Sequence, residues 1–215
     1  MTTYLERCEQ LKERFEAPHE VAKRNLALYR QLSGRALAEE ITASNPDLVI
    51  DLGCGSNEFK SVCPNVIGVD VADLPGVDVV QDIDTFRRNC VFQEGAADWV
   101  LCFGPLNYGG SAWVQKLMAA FAYLVSDTGT VVCHVHPENS ELDWTTDTIN
   151  YWGKKYGFAP TDLEIGYTDT ALMDEADLAI QHQVATRDPG IAMSLAKGDT
   201  LVRPMIVWRW KRANT

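Results

Sequence analysis

No apolar run in this chain is long enough to cross a bilayer. The longest clean one, Leu117 to Val125, falls far short of the roughly 20 residues a transmembrane helix needs. The amino terminus also lacks the basic-then-apolar layout of a secretory signal, so the expectation is a cytoplasmic protein with no membrane association. Positive charge is scarce. Lys and Arg number 19 against 30 Asp and Glu, a net charge of -11, and apart from Arg209, Lys211 and Arg212 the basic residues are scattered. Such a balance repels a polyphosphate backbone and disfavours nucleic acid as a partner. The six cysteines (Cys8, Cys54, Cys63, Cys90, Cys102 and Cys133) show no CxxC spacing. Several sit in apolar runs, so they read as reduced thiols filling core space, and no metal site is expected. Internal repeats and low-complexity tracts are missing too. What remains is a chain of 215 residues with 46% hydrophobic and 23% charged content, the make-up of one ordinary globular domain.

The most informative stretch is Leu48-Val49-Ile50-Asp51-Leu52-Gly53-Cys54-Gly55-Ser56-Asn57. An apolar run after the Asn45-Pro46-Asp47 breaker reads as a short strand covered on both faces, the kind that builds parallel sheets. Gly53 and Gly55 tolerate positive φ and carry no Cβ, so the backbone can turn tightly and approach a ligand closely. Asp51, at the mouth of this turn, suits a cationic group better than a phosphate. A dinucleotide fingerprint would need a third glycine near position 58 and a long helix behind it. Glu58 stands there instead, and Cys63-Pro64-Asn65 stops the helical turn early, which argues against a nicotinamide cofactor.

Two further strands end in acids. Val66 to Asp70 follows the first after a crossover, placing Asp70 seventeen residues beyond Gly53, where an acid can accept hydrogen bonds from both hydroxyls of a ribose. Val77 to Asp82 reads as the third strand and Asp98 to Phe103 as the fourth, with the glycine-rich loop Gly104 to Gly110 leaving it. A helix with Trp113, Val114, Leu117, Met118, Phe121, Leu124 and Val125 on one face follows. Asp127-Thr128-Gly129 then turns into a fifth strand, Thr130 to Pro137, on which His134 and His136 share a face. A helix over 143–156, a strand over 158–167 and a last strand over 201–210 complete the core, with Pro204 pushing the last toward an edge or a strand start. Before the core, 1–44 reads as two helices. The first carries Leu5, Cys8, Leu11 and Phe15, Pro18 breaks the pair, and His19 or Tyr29 in the second is placed to close over a ligand.

This order of features resembles the class I S-adenosylmethionine-dependent methyltransferases over residues 47 to 210. The residues that carry the resemblance are Asp51-Leu52-Gly53-Cys54-Gly55, Asp70, Asp82, the strand Asp98 to Phe103 and the closing pair of strands. It implies an α/β, Rossmann-like fold: a seven-stranded, mostly parallel sheet with the last strand antiparallel and helices on both faces. The single domain then divides into an N-terminal helical segment (1–44), a cofactor-binding core (45–167), an irregular insertion (168–199) and a final strand with tail (200–215). The resemblance also implies S-adenosylmethionine as cofactor. Asp51, Gly53, Cys54 and Gly55 would lie near its methionine moiety, Asp70 with Val71 at the ribose, Asp82 with Ile83 near the adenine amine, and Phe103 along the wall. On the acceptor side, His136 is the candidate general base with His134 as its alternate, and Asn107 and Tyr108 lie in the loop where ligands meet open α/β sheets. Gly104-Pro105-Leu106-Asn107-Tyr108 does not match the Pro-Pro-aromatic motif of amino-methylating nucleic-acid enzymes, which favours a small-molecule acceptor. The alternative is a methyltransferase-like binding protein without catalytic activity.

Overall fold

A computed structural model describes residues 2–17, 31–55, 57–61, 63–135, 140–168 and 203–213. His19, Tyr29, His136 and nearly all of the 168–199 insertion lie outside the described residues.

Helix α1 (Tyr4–Glu16) starts at a capping box, in which Thr3 Oγ1 accepts from the Glu6 amide and the Glu6 carboxylate accepts from the Thr3 amide. Its buried side chains are Cys8, Leu11 and Phe15. Leu5, expected on that face, is 62% exposed, and Tyr4 packs against the core in its place. Each residue turns a helix by about 100°. Positions 4, 8, 11 and 15 make the tighter stripe, and Leu5 falls off its side. Helix α2 (Gln31–Ala43) precedes β1 (Val49–Leu52), and a 3-10 turn (Glu58–Ser61) leads to β2 (Val66–Asp70).

The expected third strand is much shorter in the structure: β3 covers only Val79–Val80. Just before it, the Asp78 amide donates to Gly68 O, and the Asp78 carboxylate gathers Lys60, the Asn57 side chain and the Gly68 amide. Asp82 caps a helix, α3 (Ile83–Arg88), accepting from the Thr85 amide at 2.9 Å. The sequence reading assigned no element between Asp82 and Asp98. After β4 (Ala97–Phe103) come a 3-10 turn (Pro105–Asn107), α4 (Ser111–Leu124), β5 (Val125–Val135), α5 (Thr146–Lys155), β6 (Phe158–Thr168) and β7 (Arg203–Arg212). The expected Asp127-Thr128-Gly129 turn is a bulge inside β5, which runs straight on from α4. Val125 pairs with Ala97 and Thr130 with Trp99. Helix α5 ends as read, with Gly157 at φ 78 just past its cap.

The sheet has seven strands in the order β3-β2-β1-β4-β5-β7-β6. Pairs among β1 to β5 are parallel, whereas β7 runs antiparallel to both its neighbours. β7 is therefore interior, not an edge. Pro204 is tolerated because it sits at the start of the strand, before pairing with β5 begins at Ile206. Alternate residues of the central strands feed two cores. Ile50, Leu52, Val100, Cys102, Val131 and Cys133 meet α1, α4 and α5 on one face. Val49, Trp99, Leu101 and Val132 meet Ile41 of α2, with Phe59 beside them, on the other. This two-sided burial explains why the strands read as continuous apolar runs. No helix among the described residues is long and apolar enough to cross a membrane.

An aromatic cluster fastens β7 to the helices. Trp208 and Trp210 are fully buried. Trp208 lies 5.1 Å from Trp144, and Trp210 lies 6.3 Å from Phe121 and 6.2 Å from Phe158, between ring centroids. Trp208→Ala should cost about 3–5 kcal/mol through the cavity it leaves, measured by chemical denaturation. A loss under about 1 kcal/mol would show that the cluster does not hold β7 in place.

Candidate cofactor cleft

The order in which the chain adds strands reverses between β1 and β4, since the crossovers from β1 proceed outward to β2 and β3 and then return to β4. At such a switch point the loops leave a crevice at the carboxyl ends of the strands. Here it is a cleft partly open to solvent. Its walls are Gly53 after β1, Asp70 and Val71 at the end of β2, Ile83 of α3, Phe103 of β4, and Pro105, Tyr108 and Trp113 beyond it. Tyr4, Leu11 and Phe15 of α1 complete it.

Asp70 organises the floor. Its carboxylate accepts from the Gly55 amide at 2.8 Å through Oδ2 and from the Ala72 amide at 3.0 Å through Oδ1. One carboxylate therefore ties the turn after β1 to the turn after β2, and each oxygen keeps further acceptor capacity. Such a group, flanked by apolar Val71, Ile83 and Phe103, fits a nucleoside with a vicinal diol. Gly53 (φ +74) and Gly55 (φ +56) both occupy the left-handed region. At Gly53 a Cβ would also stand 2.2 Å from Cγ of Pro105, so the close approach of the two loops needs glycine there. Asn57 supports the same turn from outside: it is buried, and its side-chain amide donates to Gly76 O at 2.8 Å and to Asp78 at 2.9 Å. Gly68 leaves room for it, because a Cβ there would lie 2.5 Å from the Asn57 amide nitrogen.

Of the residues singled out from sequence, the cleft brings together Gly53, Asp70, Val71, Ile83, Phe103 and Tyr108. Others sit off its wall. Asp51 is buried inside β1, paired with Gly68 and Leu101. Cys54 is buried with its thiol toward Gly55 O at 3.6 Å, and Gly55 contributes its amide. Asp82 is engaged by the α3 amides and by Tyr4. Asn107 is buried within the 3-10 turn. His134 is buried in β5 behind Phe103, with ring centroids 5.8 Å apart. Trp113 of α4 also reaches the cleft, its indole N–H donating to Pro105 O at 2.7 Å. Trp144 and Trp152 are core, and Tyr151 is 60% exposed. No group of three or more His, Cys, Asp or Glu side chains among the described residues is arranged to hold a metal ion.

Sequence reasoning missed the α1 residues. Tyr4 donates to Asp82 Oδ1 at 3.0 Å and accepts from the Asp84 amide at 3.2 Å. Burial, reinforced by the nearby Cys8 and Asp82, pushes its phenol far above the ordinary range; it is a neutral donor at any working pH. Cys8 beneath it is pushed up to about 11, by burial first and then by Asp82. The stripe 4-8-11-15 was the available signal.

The fold is that of the class I methyltransferases. In structure the chain matches 575 solved chains. With 1,6-didemethyltoxoflavin-N1-methyltransferase of Burkholderia thailandensis, solved with 1,6-didemethyltoxoflavin and S-adenosylhomocysteine, it shares 13% identity at a TM-score of 0.65, covering 100% of this chain and 92% of that one. Magnesium protoporphyrin IX methyltransferase from Synechocystis PCC 6803, with bound SAM, is similar at TM-score 0.64 and 12% identity, over 99% and 100%. The [4+2]-cyclase SpnF is similar at TM-score 0.56 and 12% identity, over 97% of each chain. No family model matches the sequence, and no curated protein matches it.

Two consequences are measurable. Gly53→Ala should destabilise the fold by at least the ~1–2 kcal/mol of a left-handed residue, with the clash against Pro105 added. An unchanged thermal midpoint would show that the turn relaxes freely. Asp84, beside Tyr4, is buried, which alone would raise its carboxyl. Hydrogen bonds from Lys116 at 2.8 Å and Arg87 at 3.0 Å outweigh that and hold it below the ordinary range. A carboxylate lowered on folding contributes stability that is full above its unfolded value and is lost as pH falls through its folded value. Asp84→Asn should therefore cost about 1.5–3 kcal/mol at neutral pH and flatten the acid limb of a stability-pH curve; identical acid limbs for both proteins would contradict this.

Proposed function

We propose that this protein binds S-adenosylmethionine in the cleft at the ends of β1, β2 and β4 and transfers its methyl group to a small-molecule acceptor. The observation that carries the reading is Asp70: a carboxylate at the tip of β2, fixed by two backbone amides and lining the cleft beside apolar side chains. In that role Asp70 accepts from the ribose hydroxyls, and Val71, Ile83 and Phe103 exclude water around the nucleoside. Asp82 accepts from the adenine amine. Gly53, Cys54 and Gly55 bring backbone close to the methionine end, and Asp51 behind them supplies negative charge suited to a sulfonium. When bound, the cofactor supplies a methyl group open to in-line displacement, which leaves S-adenosylhomocysteine.

Much of the acceleration then comes from holding two reactants in line. Tyr108 and Asn107 belong to the acceptor side, and His136, or His134 as its alternate, takes a proton where the acceptor must lose one. A small, apolar or aromatic acceptor is supported by the Phe15, Tyr108 and Trp113 wall and by the acidic balance of -11. It is also supported by structural relatives named for toxoflavin and porphyrin methylation. We place the protein in the cytoplasm, in keeping with six free cysteines. The second reading is a methyltransferase-like binding protein without catalytic activity; a similar fold in a structure named as a cyclase fits the rule that fold alone does not fix methyl transfer.

Calorimetry with S-adenosylmethionine and S-adenosylhomocysteine tests the leading reading. Both should bind, and Asp70→Ala should weaken them at least about tenfold through the lost hydrogen bonds. No heat with either ligand would overturn cofactor binding. Binding without formation of S-adenosylhomocysteine across a panel of aromatic acceptors would favour the second reading.

A further inference from the structure

Helix α1 is held over the cleft by few polar ties. Arg7 pairs with Glu141 at 2.6 Å, and Glu16 accepts from the Asp73 amide at 2.9 Å, both at the exposed surface. The tie at the cleft itself is Tyr4. Its hydroxyl oxygen takes the Asp84 amide proton, which orients the single hydroxyl proton toward Asp82 Oδ1. The Thr85 amide donates to the same oxygen at 2.9 Å. Every hydrogen bond found for the Asp82 side chain among the described residues thus falls on Oδ1. The Tyr4 ring is fixed in turn, 4.9 Å from the Trp113 ring.

We propose that Tyr4 is the positioning residue of the nucleoside end: it aligns Asp82 for the adenine amine and, by the same bond, keeps α1 closed over the bound cofactor. The proposal rests on the cofactor reading above. Two donors converging on Oδ1 hold the carboxylate in one orientation and reserve Oδ2 for an incoming N–H donor. Because Tyr4 lies 78 residues from Asp82 in sequence, the bond joins two segments that nothing local holds together. A ligand that donates a hydrogen bond to Asp82 Oδ2 is linked through the same carboxylate to Tyr4 and α1; one that cannot lacks that link.

The test compares the unaltered protein with Tyr4→Phe, which keeps the ring against Trp113 and removes only the hydroxyl. S-adenosylhomocysteine and its deaminated analogue S-inosylhomocysteine, which lacks the amine, serve as probes. For the unaltered protein S-adenosylhomocysteine should bind the tighter. In Tyr4→Phe its affinity should fall about tenfold, mainly through faster release in stopped-flow, and the preference over the analogue should shrink. Melting of the ligand-free proteins reports any general loss of stability, which would weaken both ligands equally. An equal loss for both probes, or unchanged release, overturns the proposal and leaves the cofactor reading intact. Failure of the unaltered protein to bind S-adenosylhomocysteine overturns both.

Discussion

The Asp70 carboxylate, bridging the amides of Gly55 and Ala72, is the interaction on which the rest of this site depends. It fixes the turn after β1 to the turn after β2, adding to the Gly53 and Cys54 amides that donate to Val69 O. Charge-assisted bonds to backbone amides are among the stronger hydrogen bonds a protein makes, and this pair is buried. Around it the constraints are steric. Gly53 lets Pro105 approach where no side chain would fit, and Gly68 leaves space for Asn57 to brace the turn from behind. The parallel strands supply the frame, but these few contacts make the crevice at their ends a site.

A second layer closes from the amino terminus. α1 presents Tyr4, Leu11 and Phe15 to the cleft, and its hydroxyl contact at Asp82 couples the cover to the far end of the floor. Acids that looked equivalent in sequence have separate tasks. Asp70 joins two turns, Asp78 receives Asn57, Lys60 and the Gly68 amide, Asp82 caps α3 and receives Tyr4, and Asp84 gathers Lys116 and Arg87.

Those differences mark how far the sequence could be read. β1, β2 and β4 were legible because strands buried on both faces must be continuous apolar runs, and Val49-Ile50, Val66 to Val69 and Trp99 to Cys102 are such runs; the pairing of β6 with β7 was implied by the family resemblance. Gly53 followed from the glycine turn, Asp70 from its spacing beyond that turn at a strand end, and Phe103 from the family resemblance. The rest failed for physical reasons. β3 is two residues long, too short for the two-residue period of a strand to mark its ends. α3 has six residues, too few for a helical period to emerge, so Asp82 read as a strand end when it is a helix cap. Tyr4 was hidden by Leu5, the more obviously apolar neighbour on a helix where one position decides which face is buried.

The account centres on one placement, the nucleoside on Asp70 between the turns of β1 and β2. A crystal structure with S-adenosylhomocysteine bound tests it most directly. The account predicts both ribose hydroxyls within hydrogen-bonding distance of the Asp70 carboxylate, with Val71, Ile83 and Phe103 packed around the adenosine. A ligand seated elsewhere, or one whose ribose turns away from Asp70, would contradict it.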